Sequence, residues 1–136
     1  MTSEHLRDKK GNLLAIVLYA GKPEGEGVRF FTSPEHILQV GCMVWPKDHR
    51  IEPHIHNPQE RTTVGTAEVL FVKRGCVVAD IYGTETTDVR SRALHGGDVL
   101  ILLSGAHGFR FERETECWEI KSGPYDANTD KVHIGH

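Results

Sequence analysis

Glycine, proline and polar residues divide the chain into many short apolar runs, and this division limits the folds that it can adopt. Runs such as residues 68–73 (EVLFVK) and 76–82 (CVVADIY) are rich in the β-branched and aromatic residues that strands favour. Residues 11–20 (GNLLAIVLYA) also predict a strand, with a short helix as the alternative. About nine or ten such runs, with turns every 8–12 residues or so, predict an all-β sandwich or barrel.

Several local features are predicted from turn and proline chemistry. Residues 36–45 form one predicted strand, which ends at Pro46. Arg74-Gly75 joins two apolar runs and predicts a β-hairpin. Thr32 to Glu35 has the pattern of a cap followed by proline, which indicates a single helical turn. Pro53 to His56 is a short extended segment, because residues next to proline are biased towards β.

The length of 136 residues predicts one domain, and the net charge of -3 comes without a basic block, so nucleic acid is not an expected partner. No apolar run reaches the ~20 residues of a membrane helix, and the N-terminus lacks the apolar segment of a secretory signal. Three widely spaced cysteines indicate a reducing compartment rather than a disulfide framework. We therefore expect a cytoplasmic protein without a membrane partner.

Two histidines and two more distant residues predict a metal site. In an extended segment His54 and His56 point to the same face, because alternate residues of a strand share a face. Glu68 opens an apolar run, and His107 follows another one. Imidazoles with one carboxylate suit a divalent transition metal, and this ligand set does not choose among Fe, Mn, Ni, Co and Zn. Exposed histidines at the rim of a barrel without metal are the alternative.

Residues 57–67 form a long polar insertion between His56 and Glu68. The insertion contains Glu60, which competes with Glu68 for the carboxylate position, and the strand-like run after Glu68 favours Glu68. Arg61 lies in the same insertion and could hold an anionic substrate group through its planar guanidinium, with a solvated loop as the alternative. Phe109 and Phe111 line either a pocket below the metal or simply the core.

Two motifs of the chain resemble those of small single-domain cupins. The first motif is carried by His54-x-His56 with Glu68, six further residues and Gly75, and the second by Gly97 to His107. The chain departs from the pattern at the insertion and at Leu103, where the second motif has proline. It is most similar to uncharacterised metal-binding members with such an insertion.

The resemblance implies a double-stranded β-helix, the jelly-roll barrel of cupins, over the single domain 1–136. Within it, residues 1–37 supply N-terminal strands and a loop, 38–121 the barrel core and 122–136 a C-terminal tail. It also implies a homodimer, for which the apolar run Leu13 to Tyr19 would serve. We expect a metal-dependent enzyme, an oxygenase or an isomerase or lyase, with Glu68 as base and a small polar substrate, either a sugar derivative or an organic acid. A non-catalytic module that binds or senses a small ligand is the alternative.

Overall fold

The computed structural model describes residues 1–135, which form ten antiparallel β-strands and, within that range, no helix. This confirms the all-β prediction and the expected number of strands. The strands are β1 (Ser3–Arg7), β2 (Leu13–Leu18), β3 (Gly27–Phe30), β4 (Gly41–Val44), β5 (Glu68–Arg74), β6 (Cys76–Tyr82), β7 (Val89–His95), β8 (Val99–Leu102), β9 (Ala106–Phe111) and β10 (Glu116–Lys121).

The strands form two facing sheets and a separate hairpin. The larger sheet has the order β1-β2-β8-β5-β10, and the smaller sheet has the order β7-β6-β9. The hairpin consists of β3 and β4 alone. Side chains from both sheets pack together in one apolar cluster, so the arrangement is a β-sandwich.

Alternation along β5 decides which side chains fill the space between the sheets. Leu70 and Val72 face the interior and pack against Leu100 of β8 and Ile81 of β6. Burial of an aliphatic side chain of this kind stabilises the folded state by about 1.5–3 kcal/mol. Because Glu68 shares this parity, the same alternation turns its side chain towards the interior as well.

The predicted hairpin at Arg74-Gly75 is wrong. Strands β5 and β6 follow one another without pairing, because β5 lies in the larger sheet and β6 in the smaller one. Gly75 makes the crossing between the sheets with a φ of 101°, and an added Cβ would lie 2.4 Å from the Thr115 hydroxyl oxygen. The turn therefore needs glycine for both conformation and space.

Other local predictions are corrected in the region before β5. The predicted strand 36–45 is reduced to Gly41–Val44. Thr32 to Glu35 forms a non-helical turn instead of the predicted single turn of helix. The segment Pro53 to His56 has no strand partner among the described residues and is exposed. The long segment 45–67 contains no regular element.

The run chosen for the dimer interface is used inside the domain. Strand β2 is paired on one side with β1 and on the other with β8, and its residues from Leu14 to Leu18 are buried. It therefore has no free edge for a second copy, and β1 is the edge strand on that side. The homodimer itself stays a prediction. In residues 1–135 we find no helical segment of the length and apolarity needed to cross a bilayer.

One ion pair joins the two sheets at the β1 and β7 edges. The guanidinium of Arg92 donates hydrogen bonds of 2.8 Å to both carboxylate oxygens of Glu4, and the Tyr19 hydroxyl donates a third, of 2.7 Å, to Glu4 Oε1. The hydrogen bonds from Arg92, and then that from Tyr19, lower the pKa of Glu4 to about 2. This side of the sandwich is held together by charge as well as by apolar contact.

We expect Arg92→Gln to destabilise the protein by about 1 kcal/mol at pH 7, a figure that allows for solvent screening of this partly exposed pair. A lowered carboxyl pKa contributes stability above the unfolded value near 4.5, and this contribution is lost as the pH falls towards 2. Urea melts at pH 7, 4 and 2 should therefore show a difference from wild type that disappears with acid. Arg113→Gln is the control, and an Arg92→Gln difference independent of pH would contradict the interpretation.

Candidate functional site

Glu68 and His107 meet at one end of the space between the two sheets. Glu68 is the first residue of β5, and His107 lies near the start of β9, opposite Ile81 of β6. The distance from Glu68 Oε2 to His107 Nε2 is 2.8 Å, and the side chains are 14% and 30% exposed, so Glu68 is the more shielded of the two. A carboxyl group and an imidazole in contact can pass a proton between them or bind one cation together.

Two residues of β10 complete this polar cluster. Glu119 and Lys121 share the face of the larger sheet that Glu68 occupies, with Lys121 opposite Glu68 in the register. Glu119 lies at the rim, and its side chain is 53% exposed. Lys121 Nζ lies 3.5 Å from Glu68 Oε1 and 3.3 Å from Glu119 Oε1. Hereafter the inner cluster means Glu68, His107, Glu119 and Lys121.

The surroundings of Glu68 favour its protonated form. Burial makes the largest contribution to raising the pKa of the Glu68 carboxyl, and the hydrogen bond and negative charge of Glu119 raise it further. The ammonium of Lys121 opposes both effects. The pKa of Glu119 moves the other way and is lowered, mainly through its hydrogen bond to Glu68. Of the two carboxyl groups, Glu68 is therefore the weaker acid.

The surroundings of His107 favour neutral imidazole. Burial lowers the pKa of His107, and the positive charges of Lys121 and Lys131 add to this effect, while the charge of Glu119 opposes it. Burial alone would also lower the pKa of Lys121, but its hydrogen bond to Glu119 and the nearby carboxylates raise it. At neutral pH the cluster thus combines a neutral imidazole with a charged ammonium group, which is a suitable set for proton transfer or ligand binding.

The structure does not bring His54 and His56 to the inner cluster. Both lie in the exposed segment 45–67, with their rings side by side at 5.2 Å between centroids. His54 Nδ1 is 2.9 Å from the backbone oxygen of Glu52. Over residues 1–135, no three His, Cys, Asp or Glu side chains converge on a point where a metal ion could be held. The four predicted ligands therefore form two separate pairs in this conformation.

The remaining candidates of the insertion are also exposed. Arg61 makes a 3.3 Å hydrogen bond to the side-chain oxygen of Gln59, and Glu60 lies beside it in the coil. Glu68, in contrast, lies against His107, a position that favours Glu68 over Glu60 as the carboxylate of a site. Phe109 packs against the core cluster, whereas Phe111 is 60% exposed.

The sequence does not predict Glu119 and Lys121 as site residues. Alternation does not decide whether Trp118 or Glu119 faces inward, because both parities of Glu116 to Lys121 contain an apolar and a charged residue. The register answers this question, since Glu119 is opposite Leu70 on the interior face and Trp118 is opposite Phe71 on the outer face. Neither residue carries a motif that could have indicated a functional role.

Two surface grooves lie away from the inner cluster. One is bordered by the loop after β2 and by the β3–β4 hairpin, and the other by His5, Phe31 and His36 on the outside of the larger sheet.

Comparisons with protein-family models, curated proteins and solved structures found no match to this chain. The case for a site at the inner cluster thus depends on its geometry.

We expect Glu119→Gln to lower the pKa of Glu68, because the substitution removes the negative charge that disfavours a second carboxylate beside it. The pKa of His107 should fall as well, since the same charge supports the imidazolium. NMR titration of the side-chain carboxyl and imidazole signals measures both values. Glu112→Gln, which changes the net charge equally on an exposed strand end, should leave both unchanged. An unaltered Glu68 pKa in Glu119→Gln would contradict the assigned influence of Glu119 on Glu68.

Proposed function

We propose that this protein is a cupin-type enzyme that acts on a small polar substrate at the inner cluster and uses a divalent transition metal. The observation that carries the proposal is the 2.8 Å contact between Glu68 and His107 inside the sandwich. Acid and base groups in contact with one another, partly shielded from solvent and with shifted pKa values, are typical of catalytic sites.

The residues of the cluster have distinct parts in such a reaction. Glu68 is the group that takes up a proton, because its raised pKa makes its carboxylate a stronger base than an exposed one. His107 remains neutral, which is the state in which its ring nitrogen can bind the metal. Lys121 holds a positive charge close to Glu68 and favours the anion that forms when a proton leaves the substrate.

The chemistry of Glu68 and His107 fits a metal ligand pair. A metal requires deprotonated ligands, and neutral imidazole is already the favoured state of His107. A cation would also compensate the charge of the Glu68 carboxylate, which burial disfavours. A divalent ion held there would supply Lewis-acid polarisation of a substrate oxygen or a binding position for dioxygen. His54 and His56 are the two residues that could complete its coordination.

The strand order supports a barrel that is not yet closed in this conformation. Along the chain from β5 to β10, β6 and β7 pair as neighbours, and every other connection crosses between the two sheets. A jelly roll has eight strands in two sheets, and β5 to β10 would account for six of them. The six strands form the sets β8-β5-β10 and β7-β6-β9, with β10 and β9 each at a sheet edge. One strand beside β10 and one beside β9 would bring the number to eight. We propose that the double-stranded β-helix is completed by strands added at these two edges.

The segments available for these positions precede β5. Strand β4 and the extended segment Pro53 to His56 follow one another in the chain and belong to neither sheet. A segment that pairs with the edge of β9 would lie beside the strand that carries His107. In that position, alternate residues such as His54 and His56 share the face of the sheet on which they lie.

Two exposed apolar surfaces are consistent with this closure. On the hairpin, Val28 and Met43 are paired on one face and are 48% and 61% exposed. On the outer face at β10, Trp118 and Ile120 are 61% and 56% exposed. Large exposed apolar patches are uncommon on soluble domains and are usually covered by a partner surface. Docking of β4 at the β10 edge would bring these two surfaces together.

We expect the protein, purified without a histidine tag, to contain about one divalent transition metal per chain. Glu68→Gln and His107→Ala should each lower this content by an order of magnitude or more, because each removes a ligand from the inner pair. His54→Ala should lower it similarly if the segment closes over the site. The measurement is elemental analysis by mass spectrometry on folded protein.

Glu60→Gln and His133→Ala are the matched controls and should keep the wild-type metal content. Full metal content in both Glu68→Gln and His107→Ala would contradict the proposed site. Loss in Glu60→Gln, with Glu68→Gln unaffected, would move the carboxylate into the insertion. Metal without substrate turnover or oxygen consumption would favour the alternative function, a binding or sensing module.

A further inference from the structure

The C-terminal segment, residues 123–135, belongs to no sheet and contacts the inner cluster through Tyr125 and Asp130. Asp130 Oδ2 is 3.7 Å from Lys121 Nζ, and the Asp130 side chain is 15% exposed. The ring of Tyr125 lies under the same ammonium group, with 4.6 Å from Lys121 Nζ to the ring centroid. Of the polar contacts that the structure describes between this segment and the sheets, all involve Lys121.

Lys121 is surrounded by three carboxylates of different origin. Glu68 and Glu119 belong to the sheet on which Lys121 itself lies, at distances of 3.5 and 3.3 Å from its Nζ. Asp130 is the third and comes from outside the sandwich. The Asp130 carboxylate is 3.7 Å from the ammonium group, so the two form an ion pair without a direct hydrogen bond.

We infer that Asp130 occupies, as an internal substitute, the place at Lys121 that the carboxylate of an organic-acid ligand takes. This inference rests on the proposed function, because it makes Lys121 the anchor of the substrate beside Glu68 and His107. It narrows the substrate from a small polar molecule to one that carries a carboxylate. The C-terminal segment then acts as an autoinhibitory contact, which the ligand displaces.

The contact is weak enough to be displaced. A partly exposed ion pair changes an equilibrium constant by at most about fivefold, because water screens the charges and side-chain freedom is lost. A local turn stabilises the conformation of the segment. In this turn the backbone N–H groups of Thr129 and Asp130 donate hydrogen bonds to the carbonyl oxygen of Asp126. Release of Asp130 therefore requires no strand to separate, and a ligand at millimolar concentration competes with a tethered group of this kind.

The competition can be measured with acetate as the carboxylate probe and acetamide as its uncharged counterpart. Backbone amide shifts of Ile120, Lys121 and Ser122 are followed by NMR at constant ionic strength, in the full-length wild type and three variants. Asp130→Asn should bind acetate roughly three to five times more tightly than wild type, because the internal competitor is lost. Lys121→Gln should lose the response, and acetamide should cause none in any protein.

Asp126→Asn is the matched control, since it removes the same charge from the same segment and keeps a side chain that can cap the turn. Its acetate affinity should equal that of wild type. Equal affinity in Asp130→Asn and wild type would overturn the inference, and so would an acetate response that survives in Lys121→Gln. Acetate binding is measured without reference to turnover or metal content. The inference about Asp130 can therefore fail while the proposed function stands, and the proposed function can fail while the inference stands.

Discussion

Alternation along β5 is the constraint on which the site depends. Leu70 and Val72 must face the interior because they complete the contact between the sheets, and a strand that buries them also turns Glu68 inward. A register shift by one residue would expose the apolar pair and remove the carboxyl group from His107 at the same time. The folding energy of the core thus holds a carboxyl group in a place where its ionised form is disfavoured.

The sequence was informative where local pattern and structure agree. Short β-branched runs predicted the strands, and the apolar run after Glu68 predicted its place at the start of one of them. Pattern alone could not distinguish a hairpin at Gly75 from a crossing between sheets, because both need a glycine turn between two apolar runs. It was also silent on Lys121 and Glu119, since their position depends on the pairing of β10 with a strand far away in the chain.

The predicted metal ligands differ in how much the chain constrains them. Glu68 and His107 lie on paired strands whose neighbours are buried, so the sheets determine their separation. His54 and His56 lie between Pro53 and Pro58 in a segment with no strand partner among residues 1–135, so local geometry keeps them adjacent but nothing ties them to β9. In the same strand order, β9 and β10 each have a free edge. The proposed closure is based on the match between these free edges and the segments that belong to neither sheet.

Hydrogen–deuterium exchange with and without Zn(II) tests the central claim most directly. If the inner pair binds metal and the barrel closes around it, then Zn(II) should slow exchange in Gly41–Val44 and in residues 53–56, and also at the outer amides of β9 and β10. His107→Ala should abolish all of these changes. Zn(II) that binds to wild type without protecting the edges of β9 and β10, or protection that persists in His107→Ala, would contradict the account.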